Sequence, residues 1–270
     1  RGPVVALTNG LVTSNFSWGY LLPRLTRRFT VVTWDLKGHG RSGPARSREG
    51  VTIEALADDL GRVLEAAGIA RATLAGFSMG CQIIFEAYRA LAPKIQALAP
   101  ILGPAGHLFD SALPQLGAGK AIYRVLRHAP RPVLWSLFRG AALGMRLPGV
   151  VPIGRALRVV SPETEDEAIA WFAEHFRTVD PRTAARIAVA AQRHDASDLL
   201  PRVEVPVLVV SGGADIFAPP RLVADRLERA LPRCDRVHIP DGAHTGLFEH
   251  HREIGDALEG FLDRVNRARA

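Results

Sequence analysis

The chain has 270 residues, 47% of them hydrophobic, with 34 Lys and Arg residues against 27 Asp and Glu residues. This length can bury a large core, and it suits one domain with an insertion. Because no apolar run reaches the roughly 20 residues of a membrane helix, and the basic charge lacks a recognition motif or interleaved aromatic residues, we expect neither a membrane span nor a nucleic-acid partner. We expect a cytoplasmic protein, with a removed N-terminal leader left open.

The first hundred residues alternate short apolar runs with helical spacings. Residues 4–7 and 31–34 are predicted strands, and Thr52 is predicted to cap a helix. Further strands are predicted at residues 72–75 and within 94–102. The apolar residues of the predicted helix recur on one face: Ile53, Leu56, Leu60 and Leu64. Strands that alternate with helices predict a mostly parallel sheet with helices on both faces.

Residues 76–80 have the pattern G-x-S-x-G, with Ser78 at the centre, between the strand at 72–75 and a helical spacing. A serine on so tight a turn has strained backbone angles, and glycines on either side leave room for the neighbouring strand and helix. The hydroxyl is thereby presented to a substrate. This context predicts that Ser78 is a nucleophile for acyl transfer.

A serine hydroxyl needs a base to remove its proton and an acid to orient that base. Residues 205–210 read as a buried strand, and Asp215 follows its carboxyl end. A second short strand is predicted at 235–239, and His244 follows it. The predicted catalytic residues are therefore Ser78 as nucleophile, Asp215 as acid and His244 as base, while Asp110 is a minor rival for the acid.

The order of these three residues along the chain resembles that of the α/β-hydrolases. Residues 34–42 resemble the D-x-x-G-x-G-x-S loop of the family, and residues 8–11 occupy the place of its usual His-Gly turn. The resemblance extends from this turn to the last helix. It implies an α/β-hydrolase fold, a doubly wound, mostly parallel sheet with a helical cap, and chemistry without a metal or organic cofactor.

The oxyanion turn departs from the family pattern, because Asn9 and Gly10 stand where many relatives have His-Gly. The oxyanion hole of the family uses backbone N–H groups, and the matching donors are those of Leu11 and Met79. The Asn9 amide can hold the turn in place of the usual histidine.

A change of pattern divides the chain. Residues 1–104 and 201–270 are predicted to form the hydrolase core, and residues 105–200, in which helical segments are broken by Pro and Gly, a helical cap. Ser161 and Asp180, each followed by proline, are predicted to be the N-cap residues of two helices in this segment. The residues predicted to line an apolar substrate pocket are Phe16, Trp18, Trp135 and Phe138.

The favoured activity is hydrolysis of carboxylic esters of modest size, by a monomer or homodimer whose partner is the small-molecule ester. A carbon–carbon bond hydrolase stays open, with Arg127, His128 and Arg131 as its cationic cap residues. A lactonase, amidase or perhydrolase stays open as well, as does a binding protein that has lost turnover. Dehalogenases and epoxide hydrolases of this fold carry Asp at the nucleophile position and are disfavoured by Ser78.

Three further residues or pairs have structural interpretations. His39 is predicted to hold its loop rather than to act as a base, and Asp35 and Arg41 are predicted to pair across that loop. Cys81 is predicted to be a small buried residue, with a reactive thiol as the alternative.

Overall fold

A computed structural model describes residues 2–47, 50–114, 117–144, 147, 149–156 and 160–268. Its strands are β1 (Val4–Thr8), β2 (Thr30–Thr33), β3 (Ala72–Phe77), β4 (Ile95–Ile101), β5 (Val207–Gly212) and β6 (Cys234–Ile239). They form one parallel sheet in the order β2-β1-β3-β4-β5-β6. Every strand predicted from the apolar runs is present, which confirms the parallel sheet.

The helices of the described residues follow in chain order. They are α1 (Leu22–Leu25), α2 (Ile53–Ala66), α3 (Gly80–Leu91), α4 (Ala118–His128), α5 (Arg131–Gly144), α6 (Val150–Ala156), α7 (Asp166–Thr178), α8 (Pro181–Arg193), α9 (Ala224–Ala230), α10 (Gly246–Glu249) and α11 (His251–Arg267). Short 3-10 helices lie at Asn15–Trp18, Ala92–Lys94 and Leu200–Arg202. None of the helices described here is long and apolar enough to cross a membrane.

Alternating side chains of the central strands fill two separate cores. In β5, Val207 and Val209 pack with the apolar faces of α2, α3 and α9. Leu208 and Val210 point to the other face of the sheet and pack with α1 and α11. Helices therefore cover both faces, which confirms the doubly wound architecture and leaves the carboxyl ends of the strands as the edge where loops from several strands meet.

Helices α4 to α8 connect β4 to β5, and the structure places no strand in the parts of residues 105–200 that it describes. Asp180 caps α8, because its Oδ1 accepts the Thr183 N–H at 2.8 Å. The cap predicted at Ser161 is wrong: α7 begins at Asp166, and Ser161 Oγ accepts the Glu163 N–H in a separate turn. The division into a core and a cap stays a prediction.

Candidate active site

The turn after β3 presents Ser78 with a positive φ of 53°. Its N–H donates to the Ile101 carbonyl at 2.9 Å, which ties the turn to β4. A Cβ on Gly76 would collide with the Gly80 carbonyl, and one on Gly80 with the Thr8 carbonyl. The glycines thus allow the close approach that the sequence predicted, and a strained, well-supported backbone holds the Ser78 side chain.

The structure brings Ser78, His244 and Asp215 together from three loops at the carboxyl edge of the sheet. His244 Nε2 lies 2.9 Å from Ser78 Oγ, and His244 Nδ1 lies 2.9 Å from Asp215 Oδ2. The Asp215 side chain is fully buried, and its Oδ1 accepts the N–H groups of Phe217 and Ala218, each at 2.8 Å. A proton held on Nδ1 by Asp215 leaves Nε2 free to accept one from Ser78.

The rival acid Asp110 lies away from this hydrogen-bonded chain. Its side chain is exposed, and Oδ1 accepts a hydrogen bond from Gln192 Nε2 at 2.8 Å. The geometry therefore favours Asp215 as the partner of His244.

Two phenylalanines that the sequence analysis did not assign to the site enclose the His244 ring. The Phe77 ring centroid lies 5.3 Å and the Phe217 centroid 5.0 Å from that of His244. Phe77 precedes Ser78, and Phe217 follows Asp215 by two residues, so an aromatic residue beside each predicted catalytic residue was the available signal. Apolar walls restrict rotation of the imidazole and keep water from its faces.

The oxyanion turn is held by the buried Asn9 side chain. Asn9 Nδ2 donates to the Trp34 carbonyl at 2.6 Å, and Asn9 Oδ1 accepts from Trp18 Nε1 at 2.8 Å. A Cβ placed on Gly10 would lie 3.0 Å from Ser78 Cβ, so this turn packs directly against the nucleophile. Asn9 therefore supports the turn in the way proposed from the sequence.

A second contact to the same turn comes from the fully buried His39. Its Nε2 accepts the Val12 N–H at 3.2 Å, and its Nδ1 donates to the Lys37 carbonyl at 2.9 Å. Burial lowers the pKa of His39, which favours this neutral form. The loop-holding role is confirmed, but the expected pairing nearby is corrected: Asp35 Oδ2 accepts the backbone N–H of Arg41 at 2.9 Å, so the main chain rather than an ion pair closes the loop.

Two backbone donors beside Ser78 are unused. Among the residues that the structure describes, neither the Leu11 N–H nor the Met79 N–H has a protein acceptor. Met79 directly follows Ser78, and Leu11 follows the glycine that packs against it. Two such donors near a nucleophile can stabilise the negative oxygen of a tetrahedral intermediate.

Of the four residues predicted to line the pocket, only Phe16 lies near the oxyanion turn and is partly exposed. Phe16 is half-buried, and its ring centroid lies 5.4 Å from Phe172 and 5.3 Å from His175. Trp18 is fully buried, and its indole N–H is used by Asn9. The expected pocket role of Trp18 is therefore corrected, because a side chain without exposed surface cannot touch a ligand in this conformation.

Trp135 and Phe138 lie on the outer helices. Trp135 is 36% exposed beneath the Arg139 guanidinium, whose carbon is 5.1 Å from the ring centroid, and Phe138 stacks on Phe176 at 6.0 Å. Both line a surface cavity of about 580 Å³. Its described lining does not include Ser78, so the structure does not join these two residues to the nucleophile.

Two of the three cationic side chains considered for a carbon–carbon bond hydrolase lie on the surface of the protein. Arg127 and His128 are exposed at the end of α4. The side chain of Arg131 lies outside the described residues. The described contacts thus place neither Arg127 nor His128 beside Ser78 as a cation for a substrate carboxylate.

Cys81 is fully buried at the start of α3. Its Sγ donates to the Gly76 carbonyl at 3.1 Å, and burial raises the pKa of the thiol. A protonated, enclosed thiol is a poor nucleophile, so the prediction of a small buried residue is confirmed.

A buried histidine pair that was not predicted lies beside the oxyanion turn. His175 of α7 stacks on His39 with ring centroids 5.9 Å apart, and it is 6% exposed. Burial, with a smaller contribution from His39, lowers the pKa of His175 to about 4. In the folded protein His175 is therefore neutral at pH values where the unfolded chain already binds a proton.

This pair predicts a loss of stability in mild acid. As the pH falls from the ordinary histidine pKa of 6.5 to about 4, the unfolded state binds protons that the folded state does not, so the free energy of unfolding falls. We expect His175 alone to contribute about 1–3 kcal/mol of this loss. In chemical denaturation across this pH range, His175→Phe should flatten the slope, whereas His128→Gln, at an exposed position, should not. Equal slopes in all three proteins would contradict the assignment.

Residues 3–121 match a family model described as alpha/beta hydrolase fold. Polyketide synthase ThaQ of Burkholderia thailandensis is 28% identical over 269 residues, which are 99% of this chain but 12% of that protein. N-formylmaleamate deformylase of Pseudomonas putida is 25% identical over 97% of this chain and 90% of its own length. The structure of a thermophilic esterase from Thermogutta terrifontis is 25% identical, covers 98% of this chain and 91% of its own, and superposes with a TM-score of 0.73.

Proposed function

We propose that this chain, which has the α/β-hydrolase fold, is a serine hydrolase that cleaves carboxylic esters of modest size through an acyl-enzyme. The observation that carries the proposal is the hydrogen-bonded chain from Ser78 Oγ through the His244 ring to the buried Asp215 carboxylate, with 2.9 Å at each step. The similarity to the Thermogutta terrifontis esterase over 98% of the chain supports the choice of an ester.

In the first half of the reaction, Ser78 Oγ attacks the ester carbonyl while His244 Nε2 takes its proton. Asp215 orients the ring and stabilises the imidazolium that forms. The N–H groups of Leu11 and Met79 donate to the carbonyl oxygen as it becomes negative. When the intermediate collapses, His244 passes the proton to the departing alkoxide, and the acyl group stays on Ser78.

In the second half, water attacks the acyl-enzyme carbonyl and gives a proton to His244 Nε2. The same two backbone donors hold the second oxyanion. Collapse then releases the carboxylic acid and returns the proton to Ser78 Oγ. The proton that Ser78 loses in the first half thus goes to the departing alcohol, and the proton that water loses in the second half goes to Ser78.

The acyl group is proposed to lie against an aromatic cluster beside the oxyanion turn. Phe16 lies at its centre, 5.4 Å from Phe172 and 6.2 Å from Phe248 between ring centroids. Phe248 follows His244 by four residues, so the cluster is close to the base along the chain. Such rings favour an apolar acyl chain and offer no cation for a carboxylate.

Turnover of p-nitrophenyl esters from acetate to decanoate tests this proposal. We expect kcat/KM to rise about three- to fourfold for each added methylene until the cluster is filled, and then to fall. Phe16→Ala should flatten the rise, whereas Trp135→Ala, which removes an aromatic residue of the outer helices, should leave it unchanged.

The alternatives make different predictions for the same panel. Cleavage of a carbon–carbon bond in a dienoate, with negligible rates on every simple ester, would contradict the esterase proposal while preserving the nucleophile. Binding of esters without any turnover would favour a hydrolase-like binding protein.

A second candidate is removal of a formyl group from nitrogen. It is favoured by the relation to N-formylmaleamate deformylase, which extends over 90% of that protein. The same catalytic residues can cleave an amide, provided that His244 protonates the departing nitrogen. N-formyl compounds in the substrate panel distinguish the two: a kcat/KM above that of the best ester would favour deformylation.

A further inference from the structure

The positive charge of the chain is concentrated in one segment. Residues 111–160 contain eight of the 34 Lys and Arg residues and none of the 27 Asp and Glu residues. These eight are Lys120, Arg124, Arg127, Arg131, Arg139, Arg146, Arg155 and Arg158. The formal net charge of +7 therefore arises in this segment, and the rest of the chain is close to neutral.

The same segment carries the exposed apolar side chains. Among the described residues, every large hydrophobic side chain that is exposed belongs to it, including Leu143 at 65% and Ile153 at 59%. The full set is Val125, Val133, Trp135, Leu137, Leu143, Leu147 and Ile153. Single exposed apolar residues are common, but a set confined to three consecutive helices and their connection marks an interaction surface.

Helix α5 shows how this surface arises. Leu134 is buried, and Phe138 stacks on Phe176 of α7, so one narrow stripe faces the protein. Val133 and Leu137 are 44% and 49% exposed on the part of the helix that nothing in the described structure covers. We call the outward side chains of α4, α5 and α6 the basic apolar face.

We propose that the basic apolar face docks on the surface of a bilayer that contains anionic lipids. Arginines beside exposed Leu and Trp residues, in a segment without Asp or Glu, are the composition of helices that lie in a membrane interface. Arg155 pairs with Asp166 of α7 at 3.0 Å, so the arginines of α4 and α5 supply the free positive charge of the face. There the apolar side chains enter the acyl boundary and the guanidinium groups bind lipid phosphates.

Charge and apolarity together favour a membrane over other occupants. A second copy of the chain would bring two strongly positive faces together, and the repulsion opposes that contact. An acidic protein would satisfy the arginines, but the apolar side chains would need a partner of matching shape. A fluid anionic bilayer satisfies both sets of side chains at once.

Sedimentation with vesicles of ether-linked lipids tests the inference independently of the catalytic proposal, since these lipids have no carboxylic ester to cleave. We expect the unmodified protein to bind vesicles of phosphatidylcholine with one third phosphatidylglycerol at least ten times more tightly than phosphatidylcholine alone. The difference should shrink as salt is added, because salt screens the attraction of the arginines to the lipid phosphates.

Charge-matched variants locate the contact. Replacing Arg124, Arg127 and Arg139 together with Gln should weaken binding to anionic vesicles by roughly 100-fold, at about fivefold for each arginine. The same change at Arg27, Arg71 and Arg221, which are exposed in turns and loops outside this face, should have a much smaller effect. Both triple variants should keep the thermal unfolding midpoint of the parent, because none of these six side chains is buried.

The apolar part of the face is tested separately. Leu137→Ser with Leu143→Ser should weaken binding roughly tenfold or more. Brominated alkyl chains in the same ether-linked lipids should quench part of the tryptophan fluorescence, and Trp135→Phe should remove that part. The inference is overturned if the protein ignores anionic vesicles, if both arginine triples weaken binding equally, or if the leucine variant changes only the oligomeric mass.

Discussion

The Ser78→Ala variant is expected to lose ester turnover by roughly 10⁵-fold or more. The change removes the atom that forms the acyl-enzyme while the backbone at φ 53° remains one that Ala tolerates no worse than Ser. Circular dichroism and the thermal midpoint should therefore stay close to those of the parent. Ser17→Ala, at another buried serine, is the matched control and should retain turnover.

Covalent labelling is a second, independent test of Ser78 as the nucleophile. An organophosphonate should add one adduct mass to the parent protein, and peptide mass spectrometry should place it on Ser78. Labelling should be absent from Ser78→Ala and normal in Ser17→Ala. Full turnover by Ser78→Ala would contradict the proposal that Ser78 is the nucleophile.

The Asp215→Asn variant is expected to lose about 10⁴-fold in kcat with little change in KM. An amide can still accept the N–H of Phe217 or Ala218, but it can also donate to His244 Nδ1 and so favour the wrong tautomer of the ring. Nε2 would then carry a proton and no longer accept one from Ser78.

Asp110→Asn is the matched control for this substitution. Asp110 is exposed and hydrogen-bonded to Gln192, so its replacement should change kcat less than about twofold. A severe loss in Asp110→Asn together with a mild one in Asp215→Asn would move the acid to the other loop.

Much of the architecture followed from local patterns. Apolar runs of strand length predicted all six strands of the described sheet, and the caps at Thr52 and Asp180 were correct because an N-cap acts within one helical turn. Ser78, Asp215 and His244 were brought together because each follows a parallel strand, and such strands end at the same edge.

The failures have a common physical origin in tertiary contacts. Hydrophobicity marked Trp18 and Trp135 as pocket candidates, but their surroundings depend on the fold. Trp18 is fully buried and hydrogen-bonded to Asn9, whereas Trp135 is 36% exposed on an outer helix. Ser161 carries the side chain of a good cap, yet its N–H donates to Thr245 Oγ1 at 3.2 Å, in a turn that ends before the helix begins. His175 has no local signal, because its low pKa comes from burial against residues far away in the chain.

The Asn9 contacts give the oxyanion turn a support that carries no titratable proton. A histidine at this place, as the family pattern usually has, changes its donors and acceptors when it binds a proton. The Asn9 amide donates to Trp34 and accepts from Trp18 in the same way at every pH that the fold survives. Among the described contacts, acid can therefore change the geometry of this turn through its other support, His39, and burial lowers the pKa of that ring. The Leu11 donor of this turn should thus stay in place in mild acid, so that a loss of activity there reports on the proton-transfer chemistry rather than on the position of this donor.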